Sequence, residues 1–315
     1  MTDQEQGQAR EESEVKQKPP SPLIHILLLV LTTVTLSAAG LLSVGLDPFQ
    51  PGQWTADGLR GASAYLLWML AILTAHEMGH YIAAKRRGVE VSWPYFLPGI
   101  GPIPELGVIP FFGTFGAFIR MKWEKMKAAD LLAIAGWGPV AGFVVTVAAV
   151  FVGIALSEPM VVEEDANLLI LGDSLLILVA TALFHPELKE GMELWLHPIG
   201  LAGWVGCLLT ALNLLPIGQL DGGHILYGVF GERAASMAFF GFGGLIVMGI
   251  LFFPGWLLLA VLVWFLGVRH PQMLEGSPAQ RGERAMAWVC LVIFILTFTP
   301  APVVVDALPQ WLAAR

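Results

Sequence analysis

Two histidines and a glutamate stand at a spacing that could support chemistry, in the segment HEMGH at residues 76–80. His76 and His80 are four residues apart, so on a helix their imidazoles lie on one face, about 6 Å apart. Two imidazoles in this arrangement can bind a single Zn²⁺ ion. Glu77 lies one position further round the helix, where it can act on a water molecule; in the H-E-x-x-H pattern this glutamate is a general base. The segment therefore predicts a hydrolytic zinc site.

The surroundings of this segment favour a functional interpretation. It lies within the apolar stretch 61–84, shortly before the cationic cluster Lys85-Arg86-Arg87. Ionisable groups at membrane depth are costly unless they are paired, hydrated or bound to a metal. The alternative is that the three side chains only hydrogen-bond to one another or to neighbouring helices.

A catalytic zinc needs three protein ligands and one open position for water, and Asp221 is the candidate for the third ligand. It lies in ALNLLPIGQLDGGHILYGVF at 211–230. Pro216 removes a helical hydrogen bond, and the glycines around it permit backbone conformations barred to other residues. Broken backbone at membrane depth is tolerated where protein or a wet cavity satisfies it. We therefore expect Asp221 on an opened helix end that faces a polar site; the alternative is a loop aspartate beside a glycine-rich turn.

The two segments together, HEMGH at 76–80 and NLLPIGQLDGGH at 213–224, resemble the paired motifs of the site-2 protease family of intramembrane zinc metalloproteases. The resemblance covers the core from about 61 to 230. It implies hydrolysis of peptide bonds in or next to transmembrane segments of membrane-protein substrates. It also implies one Zn²⁺ ion per chain, with Glu77 as the base and three metal ligands, His76, His80 and Asp221.

The same resemblance implies two further roles near Asp221. Asn213 is expected to bind substrate or to polarise the peptide carbonyl, although the family's N-P-x-x-x-D-G pattern is loosened here, because Leu214-Leu215 separates Asn213 from Pro216. His224 is a further polar candidate, either as support for the metal ligands or as a structural histidine.

The composition predicts a polytopic membrane protein. The chain is 56% hydrophobic and 13% charged, whereas soluble domains carry about a quarter charged residues. The net charge of −8 is spread over the N-terminus and loops, so a nucleic-acid partner is not expected. Apolar stretches near the length that crosses the bilayer run roughly over 22–46, 61–84, 128–156, 168–185, 199–222, 236–268 and 285–305.

We expect an all-α fold of about six to seven transmembrane helices, with one re-entrant β-hairpin-like segment and one re-entrant or interfacial helix. The loop 85–127 is rich in Lys and Arg, which places it in the cytoplasm by the positive-inside rule. Residues 168–185 are predicted not to cross, because the stretch 199–222 must run inward if Asp221 is to reach the histidines. The stretch 236–268, interrupted at Pro254-Gly255, is predicted to be a hairpin of two short spans.

The hairpin-like segment is predicted at 107–122, where glycines and Pro110 interrupt any helix and apolar residues alternate around Phe115. An exposed strand edge there could pair with unwound substrate by strand addition. Phe115, Gly116 and Phe118 are therefore candidate substrate-binding residues. The alternative is a hairpin with a purely structural role.

Small residues elsewhere are interpreted as packing residues. Gly138 and Gly142 form a small-xxx-small pair that lets helices approach closely. Cys207 and Cys290 fall in apolar stretches, so neither a disulfide nor a cysteine zinc site is expected.

Residues 1–21 are polar, acidic and Pro-terminated; they fit neither a secretory signal nor a transit peptide and are predicted to be a disordered cytoplasmic tail. A membrane-embedded metalloprotease domain is expected over 22–305 and a C-terminal tail over 306–315. The expected location is a prokaryotic cytoplasmic membrane, with the active site near the cytoplasmic side, and the expected partners are a transmembrane protein substrate and the lipid bilayer.

Two other functions remain open, a catalytically inactive zinc-binding membrane regulator and a metal transporter. Glu77 favours an enzyme, because a pure zinc binder does not need it. A transporter usually shows inverted repeats along an ion path, and no such repeat is visible in the sequence.

Overall fold

The computed structural model describes residues 21–99, 112–121, 126–161, 169–189, 191–268 and 274–305. Within these ranges the α-helices are α1 Pro22–Ser43, α2 Ala56–Arg86, α3 Ala128–Ala155, α4 Leu175–Phe184, α5 Pro198–Asn213, α6 Asp221–Phe230, α7 Ala234–Leu251, α8 Gly255–Leu266 and α9 Ala285–Thr297. The strands are β1 Tyr95–Pro98, β2 Thr114–Phe118, β3 Glu158–Val161, β4 Leu169–Leu171, β5 Met192–Trp195 and β6 Val303–Val305. The predictions for residues 1–20, 107–111 and 306–315 lie outside the described residues.

Most of the described chain is helical, and four helical stretches are long and apolar enough to cross a membrane: Pro22–Ser43, Ala56–Arg86, Ala128–Ala155 and Asp221–Leu251. The prediction of a mainly helical membrane protein is confirmed, while the number of spans stays a prediction. The ends of α2 follow ordinary helix chemistry. Thr55 caps its N-terminus by accepting a hydrogen bond from Gly58 N, and Lys85 and Arg86 in its last turn complement the helix dipole.

The central helices α2, α3 and α5 alternate in direction. Gly138 of α3 lies against His80 and Gly142 lies against His76, so α3 is antiparallel to α2. Gly203 of α5 lies against Val150 of α3, while Gly206, further along α5, lies against the earlier residue Thr146. Hence α5 runs in the same direction as α2, as the placement of Asp221 requires.

We call the end of the bundle where α2 ends and α3 begins the basic end. It carries most of the described cations: Lys85, Arg86, Arg87, Arg120, Lys127, Arg233, Arg281 and Arg284. At the opposite end, β3 and β5 pair antiparallel, with Glu158 opposite Trp195. The chain therefore leaves α3 and enters α5 at the same end. The intervening α4 has ten residues, about 15 Å, which supports the prediction that 168–185 does not cross.

Two strand pairs at the opposite end were not predicted. Besides β3 and β5, the strands β4 and β6 pair antiparallel, with Leu169 opposite Val305. Residues 169–171 and 303–305, at the edges of the apolar stretches 168–185 and 285–305, are therefore extended and not helical. These strands are only three or four residues long, which is too short for alternation of side chains to stand out from an apolar stretch.

The stretch 199–222 is not one helix, which corrects the predicted segment. α5 ends at Asn213, residues 214–220 are not helical, and α6 begins at Asp221. Gly228 of α6 lies against Leu132 near the start of α3, so α6 continues toward the basic end.

The chain then turns back. Gly241 of α7 lies against Pro216 and Ile217, residues that precede α6, so Asp221–Leu251 is not a single rod although it is long enough to be one span. α7 and α8 pack together with Gly249 against Leu257. The predicted break at Pro254-Gly255 separates these two helices.

The predicted strand around Phe115 is present as β2, paired antiparallel with β1. This hairpin lies beside α1 and α2. Thr35 Oγ1 of α1 donates to the Gly113 carbonyl at 2.6 Å, and Tyr65 Oη of α2 donates to the Phe112 carbonyl at 2.9 Å. That the hairpin is re-entrant in the membrane stays a prediction.

Candidate metal centre

Three ligand-type side chains from two separate parts of the chain meet at one point inside the helix bundle. His76 Nε2 and His80 Nε2 are 3.2 Å apart, and each lies 3.3 Å from Asp221 Oδ2. In the part of the chain that the structure describes, the group of side chains able to share a metal ion consists of these three residues. The predicted ligands are therefore brought together.

The three separations fit a zinc ion as their common centre. Zinc binds histidine nitrogen and carboxylate oxygen at about 2.0–2.2 Å in a tetrahedral arrangement, which places neighbouring ligand atoms about 3.3 Å apart. The observed distances of 3.2, 3.3 and 3.3 Å match that edge length. A tetrahedron with three protein ligands leaves its fourth position open, as a catalytic site requires.

The tautomer of His80 is set by a neighbouring helix. His80 Nδ1 lies 2.8 Å from the carbonyl oxygen of Ile134 in α3. Because a carbonyl only accepts hydrogen bonds, Nδ1 carries the proton, and Nε2 of the neutral ring presents its lone pair to His76 and Asp221. A second hydrogen bond of this kind orients metal-binding histidines and raises their basicity.

Two glycines of α3 leave room for both imidazoles where α2 packs closely on α3. A Cβ at position 138 would overlap the His80 ring, and a Cβ at 142 would lie 3.0 Å from His76 Cβ. On the other side, a Cβ at Gly79 would overlap the carbonyl of Trp137. The sequence predicted Gly138 and Gly142 as packing residues; the structure shows that what they pack against is the pair of histidines. The glycines in HEMGH and GWGPVAG were the signal for this contact.

Asp221 is placed by the non-helical residues 214–220 together with the first turn of α6. A Cβ at Gly222 would overlap the Leu214 carbonyl, and one at Gly223 would overlap the Gly218 carbonyl. These two glycines were predicted to open the helix, but they lie inside α6 and instead let its first turn sit directly on the preceding backbone. The opened helix end therefore lies before Asp221, in the segment that contains Pro216.

Two further predicted residues lie beside the cluster. Glu77 is buried, with 4% of its surface exposed, and its carboxylate is within electrostatic reach of His76, His80 and Asp221. Asn213, the last residue of α5, places Nδ2 3.4 Å from His76 Nε2. The site therefore combines three potential ligands, one carboxylate that is not a ligand and one amide.

The remaining candidates lie outside the three-residue group. His224 is buried one turn after Asp221 on α6. Phe115, Gly116 and Phe118 lie on β2, which contacts α2. The substrate-binding and supporting roles of these residues stay predictions.

Comparison with known proteins agrees with this geometry. The model of Peptidase family M50 matches residues 64–253, a range that contains both histidines and Asp221. No solved structure matches the chain.

Curated relatives carry zinc protease names. "Probable zinc metalloprotease EGY1, chloroplastic" of Arabidopsis thaliana is 30% identical over 240 residues, covering 74% of this chain and 42% of that protein. "Probable zinc metalloprotease EGY2, chloroplastic" of the same plant is 31% identical, covering 68% and 35%. EGY1 of Oryza sativa subsp. japonica is 32% identical, covering 74% and 39%.

The chain spans less than half the length of these relatives. Their names place them in the chloroplast, which does not support the expected prokaryotic cytoplasmic membrane.

Proposed function

Because this chain belongs to Peptidase family M50, which confirms the resemblance to site-2 proteases, we propose that it is an intramembrane zinc metalloprotease. It hydrolyses peptide bonds in or next to transmembrane segments of membrane-protein substrates. The observation that carries this proposal is the near-equilateral triangle of His76 Nε2, His80 Nε2 and Asp221 Oδ2, with buried Glu77 beside it.

In the proposed reaction, His76, His80 and Asp221 hold one zinc ion per chain. When bound, zinc acts as a Lewis acid on the peptide carbonyl and lowers the pKa of a water molecule. Glu77 takes a proton from the attacking water and returns it to the leaving amine nitrogen, so water and peptide become a carboxylic acid and an amine, which ionise to carboxylate and ammonium. Asn213 Nδ2, 3.4 Å from His76 Nε2, is placed to donate to the carbonyl oxygen where negative charge develops.

Substrate must be unwound before this chemistry, because a helix encloses its own peptide bonds. β2 supplies a template for extended peptide. Among the described strands it pairs only with β1, and we expect substrate to add at its other edge. Phe115 and Phe118 on this strand are 62% and 43% exposed.

We expect β2 to reach the depth of the metal centre. Tyr65 bonds to Phe112 just before β2, and along α2 it precedes His76 by roughly 16 Å. The chain from Phe112 to Phe118, in which Gly113 and Gly116 have positive φ, covers at most about 20 Å. It runs toward the basic end, where Arg120 N donates to Ser92 Oγ at 2.9 Å. A peptide added to this edge would therefore lie alongside the helix that carries the histidines.

The cations near the site favour an active site at the cytoplasmic side of the membrane. Arg86 and Arg87 end the helix that carries His76 and His80, and cations of this kind mark the cytoplasmic ends of spans. A regulator without activity is the second candidate, and Glu77 is the residue that separates the two functions.

The Glu77→Gln variant tests the chemistry. It removes the base but none of the three ligands, so zinc content should be unchanged while cleavage of a fluorogenic single-span peptide falls by about 10²–10⁴-fold. Glu158→Gln, on exposed β3 at the opposite end, is the matched control and should cleave normally. Near-normal cleavage by Glu77→Gln would remove Glu77 from the reaction.

Proline at Phe118 tests the strand. Proline cannot donate a backbone hydrogen bond, so cleavage should slow while zinc content stays unchanged. Phe118→Val keeps a strand-forming residue and serves as the control. If the proline variant cleaves as fast as the valine variant, substrate does not use this edge.

A further inference from the structure

A cavity of about 420 Å³ lies at the basic end, away from the metal centre. It is formed where α6 ends and where the chain approaches α9. Its lining combines two arginines with apolar side chains and one glutamate: Val229, Phe230, Glu232, Arg233, Pro278 and Arg284.

Backbone contacts fix the shape of this cavity. Ala279 N donates to the Gly228 carbonyl at 2.9 Å, which ties the segment before α9 to the last turn of α6. Gly231 packs against Pro278, where a Cβ would lie 2.8 Å from Pro278 Cγ. Arg284 Nε donates to the Ala279 carbonyl at 2.9 Å. The two walls are therefore joined at their base.

One of the two arginines that line the cavity is not paired with a carboxylate in the described part of the chain. Arg233 is exposed, and its guanidinium forms no hydrogen bond or ion pair with any residue that the structure describes. Glu232 also lines the cavity, but it has an interaction partner of its own. The lining thus offers two guanidinium groups against one carboxylate.

The cavity lies at the level where the apolar helices give way to charge. Val229 packs in one cluster with Ala128, the first residue of α3, and Lys127 precedes that residue. Phe230 lines the cavity and remains 40% exposed. In a membrane-spanning protein this is the depth of the lipid phosphates, and basic pockets between spanning helices bind anionic headgroups.

We propose that this cavity binds the phosphate group of an anionic phospholipid. Arg233 and Arg284 contact the phosphate oxygens, for which the planar guanidinium offers paired donors. Phe230 and Pro278 form the apolar wall against the glycerol and the first methylenes of the acyl chains. The site needs neither zinc nor proteolysis, so it stands or falls independently of the proposed function.

The test measures retained lipid by native mass spectrometry of the full chain in a neutral detergent. The probes are short-chain phosphatidylglycerol and short-chain phosphatidylcholine. Wild type should bind phosphatidylglycerol more tightly than phosphatidylcholine. In Arg233→Ala/Arg284→Ala the affinity for phosphatidylglycerol should fall about thirtyfold, from the worth of two cations near a membrane surface.

A matched double variant separates a site from general charge. Arg86→Ala/Arg281→Ala removes two exposed cations from the same end of the molecule without touching the cavity, and it should bind phosphatidylglycerol like wild type. In Arg233→Ala alone, which removes no described contact, the affinity for phosphatidylglycerol should fall about fivefold. This variant tests the site even if the double variant does not fold.

Three results would overturn the proposal. They are unchanged binding in Arg233→Ala/Arg284→Ala, an equal loss in both double variants, and no preference of wild type for phosphatidylglycerol. Inorganic phosphate serves as a competitor: release of the lipid by low millimolar phosphate would assign the site to free phosphate instead of a headgroup, whereas retention supports the lipid.

Discussion

The two sides of the metal cluster are built differently. His76 and His80 belong to α2, a continuous helix of 31 residues, and their spacing is fixed by the helix itself. Asp221 is the first residue of a ten-residue helix that follows a non-helical segment. The histidine pair is therefore local, whereas the position of the carboxylate is assembled from contacts distant in sequence.

The supports of the two sides differ in the same way. Behind the histidines, α2 and α3 approach until the backbone at Gly79 meets the backbone at Trp137. Behind Asp221, Gly218 N donates to the Val268 carbonyl at 3.0 Å, so the end of α8 holds the loop. Val268 lies beyond residues 64–253 that match the family model. The hydrogen bond from Gly218 to Val268, which lies outside the matched region, therefore helps to position Asp221.

The largest effect is expected on the histidine side, from Gly138→Ala. The new methyl group would overlap the His80 imidazole and displace a ligand, so zinc affinity should fall roughly a hundredfold, the upper range for disturbed supports of a metal site. Competition with a chromogenic chelator measures the affinity. Gly243→Ala, where a Cβ would meet nothing within 4 Å, is the control; equal affinities in the two variants would contradict the packing argument.

A smaller effect is expected on the aspartate side, from Gly218→Ala. Gly218 has φ +59°, and a Cβ would lie 2.6 Å from the Gly267 carbonyl. The loop would shift away from α8 and take Asp221 with it, lowering zinc affinity about tenfold. The same chelator titration applies.

The control for Gly218→Ala separates the effect of the Cβ collision from the effect of backbone strain. Gly276 has φ +86° and open space around its Cβ position, so Gly276→Ala carries the strain without the collision. Zinc affinity that falls equally in both variants would mean that the α8 contact does not position Asp221.

The smallest effect is expected from the ion pair that joins the ends of α2 and α3. Arg87 Nε lies 3.1 Å from Asp130 Oδ1, and both side chains are partly exposed. Exposed pairs contribute about 0.2–1 kcal/mol, so Arg87→Ala should lower the free energy of unfolding by no more than that and leave zinc affinity unchanged. A clear loss of zinc would show that the helix ends, and not the glycine contacts, hold the histidines.

The difference between the two sides also explains what the sequence could predict. The H-E-x-x-H spacing is local, so the roles of His76 and His80 could be proposed directly. Asp221 was proposed from the broken helix around Pro216, and the family resemblance then supported its role as a ligand. The break before it was predicted from Pro216, whereas the contacts of Gly222 and Gly223 with Leu214 and Gly218 could not be predicted, because only the folded chain creates them.

Elsewhere, short elements were harder to predict from the sequence. β2 was predicted because side chains alternate from Phe115 to Arg120, after glycines and a proline that interrupt any helix. β4 and β6, at three residues each, are embedded in or follow apolar helical stretches, and their pairing joins residues far apart in the chain. The hydrogen bond from His80 to Ile134 likewise has no signal in the sequence, because any residue supplies a backbone carbonyl.

The central claim is that His76, His80 and Asp221 together bind one zinc ion, and metal content of the purified full chain tests it most directly. Wild type should contain about one zinc ion per chain, and His76→Ala and Asp221→Ala should each lose it. His25→Ala and Asp57→Ala, which change the same residue types outside the cluster, should retain it. Zinc retained by Asp221→Ala, or missing from folded wild type, would contradict the three-ligand site.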